Sequence, residues 1–155
     1  VYKRQPYRRG QAGFDLERFD ELMADTVAGH DVDLWLEPGR YLVAESGVLL
    51  SRVTQLKTNG QYHYLGVSTG MNSLIRPALY GAYHDIVNLS RLHEPADCHY
   101  RVVGPICESG DVLGESRFLP KSQEGDIILV VNAGASGRVM SSRYNRREPA
   151  GEFTI

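Results

Sequence analysis

Few cysteines, short apolar runs and nearly balanced charge each exclude a class of protein for this sequence. The 155 residues contain two cysteines, Cys98 and Cys107, which lie nine positions apart and form no Cys-x-x-Cys pair. Two are too few for a disulfide-stapled scaffold, so we expect reduced thiols. No apolar run approaches the ~20 residues of a membrane-spanning helix. The formal net charge of -2 indicates no nucleic-acid partner.

The composition that remains is that of a folded, globular chain. Hydrophobic residues make up 42% of the sequence and charged residues 23%, which favours a protein with a packed core over a disordered one. Residues 1–5 carry charge but no apolar segment of a secretory signal, so a cytoplasmic location is the default expectation. The length suits either one domain or the last part of a longer protein.

Residues 1–40 have the pattern of the last unit of an α/β barrel. Apolar residues at helical spacing predict a helix over residues 14–29, with Asp15 as its N-cap and Gly29 just after its end. Residues 32–36 have the length and flanks of a β-strand. A helix, a short strand and then a glycine-containing turn are typical of such barrels, whose strand ends carry sites. We therefore assign this segment to the end of a barrel.

Beyond residue 40 the apolar spacing changes to that of strands. A hairpin is predicted from strands over residues 48–57 and 61–67, because the Asn59-Gly60 pair between them favours a tight turn. Further strands are predicted over residues 86–92, 100–106, 126–132 and 153–155, and short helices over residues 77–84 and 137–144. The expected fold class is α+β, a barrel end followed by a mostly β C-terminal domain over residues 41–155. Because the last strand has barely begun at residue 155, we expect the fold to be incomplete at both ends.

Two arginines beside turns are candidates for binding an anionic ligand. Arg40 follows Gly39, and a glycine lets backbone amides approach a phosphate while an arginine can bind a carboxylate through two bonds. Arg76 stands just before a predicted helix, and Tyr80 follows four residues later, toward the same side. The alternative is a tight turn with solvated arginines.

Residues 104–111 place a thiol, two carboxylates and flexible glycines in one short stretch. Cys107 could act there as a proton donor, and Glu108 could contact a substrate ammonium group. The alternative is a β-turn with a buried cysteine. Metal binding is not expected, because the histidines and cysteines lack the spacing of a metal site.

Four stretches of the sequence, in this order, resemble the diaminopimelate decarboxylases, a branch of the fold-type III pyridoxal-phosphate decarboxylase family. These four motifs are EPGRYLVA at residues 37–44, GMNSLIRPALY at 70–80, VGPICESGD at 103–111 and SSRYN at 141–145. Residues 85–89 also resemble the bifunctional aspartate kinase/diaminopimelate decarboxylases. The resemblance implies a C-terminal fragment, with the end of a cofactor-binding barrel and a β-barrel or sandwich like the C-terminal domain of alanine racemase.

The resemblance also implies roles for individual residues. The cofactor pyridoxal 5'-phosphate would be bound by Glu37, Pro38, Gly39, Arg40 and Ser136. The substrate would be bound by Arg40, Arg76, Tyr80 and Glu108, and Cys107 would return a proton after CO2 leaves. Cys107 and Glu108 would reach the site of a partner subunit, so a homodimer with shared active sites is expected. The implied reaction converts meso-2,6-diaminopimelate to L-lysine and CO2.

Several positions depart from the family pattern. Ser136 stands where the family has a tyrosine, and Ser68 stands where it has an aspartate. None of Lys3, Lys57 and Lys121 matches the motif of the Schiff-base lysine, so this chain alone is expected to be inactive. Two alternatives stay open. One is a sibling decarboxylase of the ornithine or arginine kind, and the other is a decayed homologue whose β domain serves dimerisation or regulation.

Overall fold

The computed structural model describes residues 13–155, which form a β-sheet with short helices around it. The helices are α1 (Leu16–Val27), α2 (Gly39–Val43) and α3 (Arg76–Tyr80). The strands are β1 (Leu49–Asn59), β2 (Tyr62–Val67), β3 (Ile86–Asn88), β4 (Cys98–Val103), β5 (Val112–Leu119) and β6 (Ile127–Val130). Three 3-10 turns cover Leu89–Arg91, Arg138–Met140 and Tyr144–Arg146. None of the described helices has the length and apolar character that crossing a bilayer requires.

The six strands lie side by side in the order β3-β6-β1-β2-β4-β5. All neighbours are antiparallel except β2 and β4, which run parallel and pair His63 with Tyr100. The two edge strands approach each other, since a β-carbon added to Gly114 of β5 would lie 2.8 Å from Cδ1 of Ile86 in β3. The sheet is therefore a nearly closed barrel, and a side chain at position 114 would require the side chains of Ile86 and Arg117 to move.

The inside of the barrel holds the hydrophobic core. β1 shows how the sequence creates it, because buried and exposed residues alternate from Leu49 to Val53 with the two-residue period of a strand. A bulge between Val53 and Gln55 interrupts the register with β2. The buried cluster consists of Leu49, Val53, Leu65, Val67, Leu74, Ile86, Tyr100, Val102, Leu113, Leu119, Ile128 and Val130. This core confirms the predicted mostly β domain.

The helix predicted near the start of the chain is confirmed as α1. Asp15 caps it by accepting the N–H of Arg18 at 2.8 Å, and Gly29 follows its end with φ +77°. None of its 12 residues is buried. Within the described chain, α1 is therefore a helix of local origin, with its apolar face largely open.

The strand predicted over residues 32–36 is wrong. These residues form no strand and are exposed, and the side chain of Trp35 is 87% exposed. A strand depends on hydrogen bonds to a neighbouring strand, and no strand of the described sheet lies beside this segment. The assignment of residues 1–40 to a barrel stays a prediction. Residues 1–12, with Lys3, lie outside the described part of the chain.

The predicted hairpin is confirmed, with a turn one residue further along the chain than the Asn59-Gly60 pair indicated. Asn59 still pairs with Tyr62 across the two strands, so the loop consists of Gly60 and Gln61. Gly60 has a φ of +61°, an angle that glycine adopts without strain. The Asn59-Gly60 pair therefore predicts the location of the turn correctly, but the two central residues of the turn are Gly60 and Gln61.

The remaining elements differ from the prediction in their ends or their number. The strand predicted over residues 86–92 stops at Asn88, whose side chain accepts the Ser90 N–H at 3.0 Å and begins a 3-10 turn. No strand forms over residues 153–155, and the second predicted short helix is a pair of 3-10 turns. β5 is absent from the prediction, because a glycine, charged side chains and Ser116 at φ +49° interrupt its apolar alternation.

Candidate active site

Asp111 joins the second and third motifs, which carry most of the predicted substrate-binding residues. It is 3% exposed, and its Oδ1 accepts the Met71 N–H at 2.6 Å while its Oδ2 accepts the Ile106 N–H at 2.7 Å. Its backbone carbonyl also accepts the Gly104 N–H at 3.0 Å. One carboxylate therefore holds together two stretches that are distant in sequence.

Two glycines make room for this carboxylate. A β-carbon on Gly70 would lie 2.6 Å from Oδ2 of Asp111, and one on Gly104 would lie 2.5 Å from Oδ1. A side chain at either position would therefore displace the carboxylate. Burial raises the pKa of Asp111, while the two amide N–H groups and the charge of Arg147 oppose the rise.

Cys107 and Glu108 lie in the loop that Asp111 anchors, and both are exposed. The loop is tightened by the Glu108 N–H, which donates to the Ile106 carbonyl at 2.8 Å, and by the Asp111 N–H, which donates to the Glu108 carbonyl at 3.0 Å. The hydroxyl of Ser109 donates to Oε1 of Glu108 at 3.3 Å. The alternative of a buried cysteine is therefore wrong, because the thiol and the carboxylate are open to a second molecule.

Arg76 begins α3 and is bound from inside the fold, so the alternative of a solvated arginine is also wrong here. It is 4% exposed, and its Nη1 lies 3.1 Å from Nε2 of His84. His84 is fully buried, and its Nδ1 lies 2.8 Å from the carbonyl oxygen of Val131. No rule of residue spacing identifies this contact, so the sequence prediction assigned no role to His84.

The protonation state of His84 follows from these surroundings. Burial lowers its pKa from 6.5 to about 4, against the raising effect of the hydrogen bond to Val131 and together with the nearby charges of Arg76 and Arg117. His84 is therefore neutral near pH 7. Because a carbonyl oxygen only accepts, Nδ1 carries the hydrogen, and Nε2 accepts from the arginine.

The exposed end of α3 and the loop after Glu108 share one concave surface. Tyr80 is 62% exposed and is followed by Gly81 with φ +60°, which ends the helix. Beside it lies an open cleft of about 780 Å³, whose lining includes Pro77, Ser109 and Arg117. The structure therefore brings the flanks of two predicted substrate-binding segments to one cleft, with Arg76 buried and Tyr80 exposed.

The fourth motif packs against the second. The side-chain amide of Asn72, which is 1% exposed, donates to the carbonyl of Glu148 at 3.2 Å. The Ser142 N–H donates to the Asn72 carbonyl at 2.8 Å, and the Ala150 N–H donates to Oγ of Ser73 at 2.8 Å. Three of the four motifs thus form one connected unit.

The two predicted cofactor-binding segments also adjoin. Glu37, Pro38 and Gly39 are exposed and Arg40 is half-buried. The segment continues through α2 to Ala44, whose carbonyl accepts the Gly134 N–H at 3.0 Å, and half-buried Ser136 follows two residues after Gly134. Among residues 13–155, apart from its chain neighbours and the backbone of its own helix, no atom lies within 4 Å of a β-carbon placed on Gly39. A carboxylate, an open glycine and an arginine suit a phosphorylated pyridine ring, so this donor set fits pyridoxal phosphate.

The two serines that depart from the family pattern differ in what they contact. The Ser68 hydroxyl lies 3.1 Å from that of Ser51 and accepts the Arg52 N–H at 3.2 Å, so it supports the pairing of β1 and β2. Ser136 has a φ of +59°, a left-handed angle that costs most side chains some energy. Ser68 therefore has a structural role between two strands, whereas Ser136 lies in a turn with a strained backbone.

The described lysines lie apart from these residues. Lys57 in β1 and Lys121 after β5 line a cleft of about 390 Å³ that contains none of the predicted cofactor-binding residues. Within residues 13–155, no group of three histidine, cysteine, aspartate or glutamate side chains is arranged to hold a metal ion. The described part of the candidate site therefore consists of residues predicted to bind substrate or cofactor, without a lysine among them.

Known proteins place this chain in a family. Residues 15–134 match the family model described as "Pyridoxal-dependent decarboxylase, C-terminal sheet domain". The chain is 44% identical over 153 residues to the diaminopimelate decarboxylase of Archaeoglobus fulgidus, and the match covers 99% of this chain and 36% of that relative. The chain thus spans about a third of the length of such relatives.

Solved structures agree in fold. The crystal structure of AQ1208 from Aquifex aeolicus superposes with a TM-score of 0.84 at 36% identity, covering 94% of this chain and 36% of that one. Diaminopimelate decarboxylase from Helicobacter pylori, complexed with L-lysine, superposes with a TM-score of 0.77 at 34% identity, covering 88% of this chain and 34% of that one. The chain therefore belongs to the pyridoxal-dependent decarboxylases, carries their C-terminal sheet domain, and within that family resembles the diaminopimelate decarboxylases.

Proposed function

We propose that this chain is the C-terminal part of an enzyme that converts meso-2,6-diaminopimelate to L-lysine and CO2 with pyridoxal phosphate. The observation that carries the proposal is the Asp111 junction, which ties the segment of Arg76 and Tyr80 to the loop of Cys107 and Glu108. Membership of the pyridoxal-dependent decarboxylases supports the reaction type. The lysine bound in a related structure supports the product.

Four residues of the candidate site would act directly in this reaction. When bound, pyridoxal phosphate supplies an electron sink for the electron pair that departing CO2 leaves behind. Glu37 would lie at the ring nitrogen and keep it charged, while Gly39 and Arg40 would bind the phosphate and the substrate. Cys107 would then donate its thiol proton to the carbon that has lost the carboxylate.

The choice of substrate depends on the pair of charges at its far end. Diaminopimelate carries a distal ammonium and a distal carboxylate, whereas ornithine carries only the ammonium. Arg76 would bind the carboxylate and Glu108 the ammonium, so a substrate without one of them leaves a charged group unpaired. Nη1 of Arg76 is occupied by His84, but the five N–H donors of an arginine can serve more than one acceptor.

The exposure of the loop that carries Cys107 and Glu108 supports a homodimer with shared active sites. Cys107 and Glu108 are open to a second molecule, which suits a homodimer in which each chain contributes them to its partner's site. Mixing two inactive variants of the proposed full-length enzyme, which also contains the Schiff-base lysine, tests this arrangement. A Cys107→Ala form and a form with the Schiff-base lysine replaced should regain activity together, because a mixed dimer holds one intact site. No recovery would contradict the shared site.

A chimera tests the reaction itself. This chain would replace the matching C-terminal part of the Archaeoglobus fulgidus enzyme, and CO2 release would be measured from diaminopimelate, ornithine and arginine. We expect release from diaminopimelate alone. Release only from ornithine or arginine would favour the sibling decarboxylase, and Arg76→Ala should selectively remove activity on the dicarboxylate.

Ser136 favours a second candidate, a decayed homologue whose sheet domain serves dimerisation or regulation. A serine is too short to contact cofactor and substrate as the tyrosine of the family does. In the chimera, Ser136→Tyr should raise turnover about tenfold or more if one missing hydrogen-bonded contact limits activity. A poorly active chimera that still dimerises and that Ser136→Tyr rescues would favour the decayed homologue, whereas little change in cofactor affinity or turnover would count against decay through this position.

A further inference from the structure

His84 is a fully buried polar side chain to which the proposed reaction assigns no role. It lies between α3 and β3, and both of its ring nitrogens are engaged. Nδ1 lies 2.8 Å from the carbonyl of Val131, just after β6, and Nε2 lies 3.1 Å from Nη1 of Arg76. The ring thus connects the backbone of the barrel wall to the guanidinium at the start of α3.

The direction of these two bonds determines what His84 can do. The Val131 carbonyl requires a hydrogen on Nδ1, which leaves the lone pair of Nε2 directed at Arg76. The charge of Arg117 in β5 also acts on the ring and, like the charge of Arg76, disfavours its protonation. A neutral imidazole here can accept from an arginine, whereas a protonated one would repel it.

We propose that His84 is a positioning residue that holds the guanidinium of Arg76 in the orientation needed to bind the distal carboxylate of the substrate. The inference rests on the proposed function, which makes Arg76 a substrate ligand. A histidine serves this purpose in a way that a carboxylate would not. The neutral ring accepts a hydrogen bond from the guanidinium and, unlike a carboxylate, adds no negative charge of its own beside it.

Two substitutions distinguish the hydrogen bond between His84 and Arg76 from the one between His84 and Val131. In His84→Gln the side-chain amide extends to the place of Nε2 and can still accept from Arg76. In His84→Asn the shorter amide lies near the place of Nδ1 and can still donate to Val131, but it does not reach the arginine. The two variants have similar volume and polarity, so each is a matched control for the other.

The experiment measures inhibition of the holo-chimera by two ligands. L-lysine keeps the distal carboxylate of diaminopimelate, and 1,5-diaminopentane has no carboxylate. We expect His84→Asn to weaken lysine inhibition and raise the KM for diaminopimelate about tenfold, the effect of losing one hydrogen bond to a charged group. His84→Gln should change both values little, and inhibition by 1,5-diaminopentane should be unchanged in either variant.

An Arg76→Ala background distinguishes the inference from the proposed function. If His84 acts through Arg76, His84→Asn should have no further effect on lysine inhibition once Arg76 is gone. Equal effects of the Asn and Gln variants, or a full effect of His84→Asn in the Arg76→Ala background, would overturn the positioning role alone. An Arg76→Ala chimera with unchanged lysine inhibition would instead overturn the proposed substrate contact.

A measurement on the unmodified 155-residue chain keeps the proposal testable should His84→Asn fail to fold. Nitrogen-15 NMR of the histidine rings should show His84 as the neutral tautomer with hydrogen on Nδ1, unchanged between pH 6 and 8. Hydrogen on Nε2 would remove the acceptor that Arg76 needs and would overturn the inference.

Discussion

The segment before the sheet and the sheet itself differ in how far the neighbouring residues in sequence determine their secondary structure. In α1 a capping aspartate and an amphipathic sequence produce the helix, although none of its residues is buried. In the barrel, Leu65, Val102, Ile128 and Val130 are completely buried, and strands from both ends of the sequence meet around them. A helix satisfies its own backbone, while a strand requires a partner. The difference explains why the same chain forms α1 but no strand over residues 32–36.

The largest difference in stability loss between the two regions should appear when one leucine in each is replaced by alanine. Leu65→Ala in β2 removes a side chain with no exposed surface, and we expect a loss of about 2–5 kcal/mol in the free energy of unfolding. Leu16→Ala in α1, where the side chain is 48% exposed, should cost well under ~1 kcal/mol. Urea unfolding followed by circular dichroism measures both, and equal losses would mean that the barrel core does not dominate stability.

A smaller difference in the loss of unfolding free energy is expected between substitutions of two aspartates that both accept backbone N–H groups. Asp111→Ala leaves the amides of Met71 and Ile106 without their acceptor, so we expect a loss of about 2–4 kcal/mol. Asp15→Ala removes the cap of α1 and should cost about 1 kcal/mol. Amide hydrogen exchange locates the effect. Exchange should become faster in both stretches that Asp111 joins, around Met71 and around Ile106. Unchanged exchange in both stretches, with unchanged global stability, would contradict the anchoring role.

The smallest of these effects is a pH dependence that arises in the barrel. Because the pKa of His84 is lowered from 6.5 to about 4, the unfolded chain binds a proton in this range that the folded chain does not. The free energy of unfolding should therefore fall as the pH is lowered from 6.5 toward 4, by at most about 3 kcal/mol at ~1.4 kcal/mol per pKa unit. The raised pKa of Asp111 acts in the opposite direction and reduces the slope.

Replacing His84 separates its contribution to the pH dependence of stability from that of the other titrating groups. His84→Gln should flatten the stability curve between pH 4 and 6.5, because glutamine does not titrate. His30→Gln, at an exposed position after α1, is the control in the other region. Thermal unfolding at several pH values measures the slope. A slope that survives in His84→Gln would assign the pH dependence to other groups.

The sequence predicts those parts of the fold that depend on neighbouring residues. Asp15, Gly29 and the Asn59-Gly60 turn act within a few residues, so α1 and the first hairpin are predicted correctly. β5 depends on pairing with β4, and Ser116 at φ +49° breaks the alternation that would reveal it. Local rules therefore find the elements whose bonds are local and miss those formed across the sheet.

The candidate site shows the same division. Resemblance of four motifs indicates the family and yields the predicted substrate-binding residues, because such motifs lie within short stretches. The groups that hold them, Asp111 and His84, act on residues far away in the sequence, through Met71 and Val131 among others. No residue spacing encodes these contacts, so they emerge only from the three-dimensional arrangement.

The parallel pairing of β2 with β4 also has a consequence for the order of folding. Parallel neighbours need a connection that returns across the sheet, and here that connection carries Arg76, His84 and β3. Since β3 pairs only with β6 in the described sheet, this pairing cannot form until the chain has reached residue 127. Contacts this far apart in sequence form slowly. We expect the barrel to close and the segment of Arg76 and His84 to assemble in a single late step, so that partly folded chains carry no partly formed candidate site.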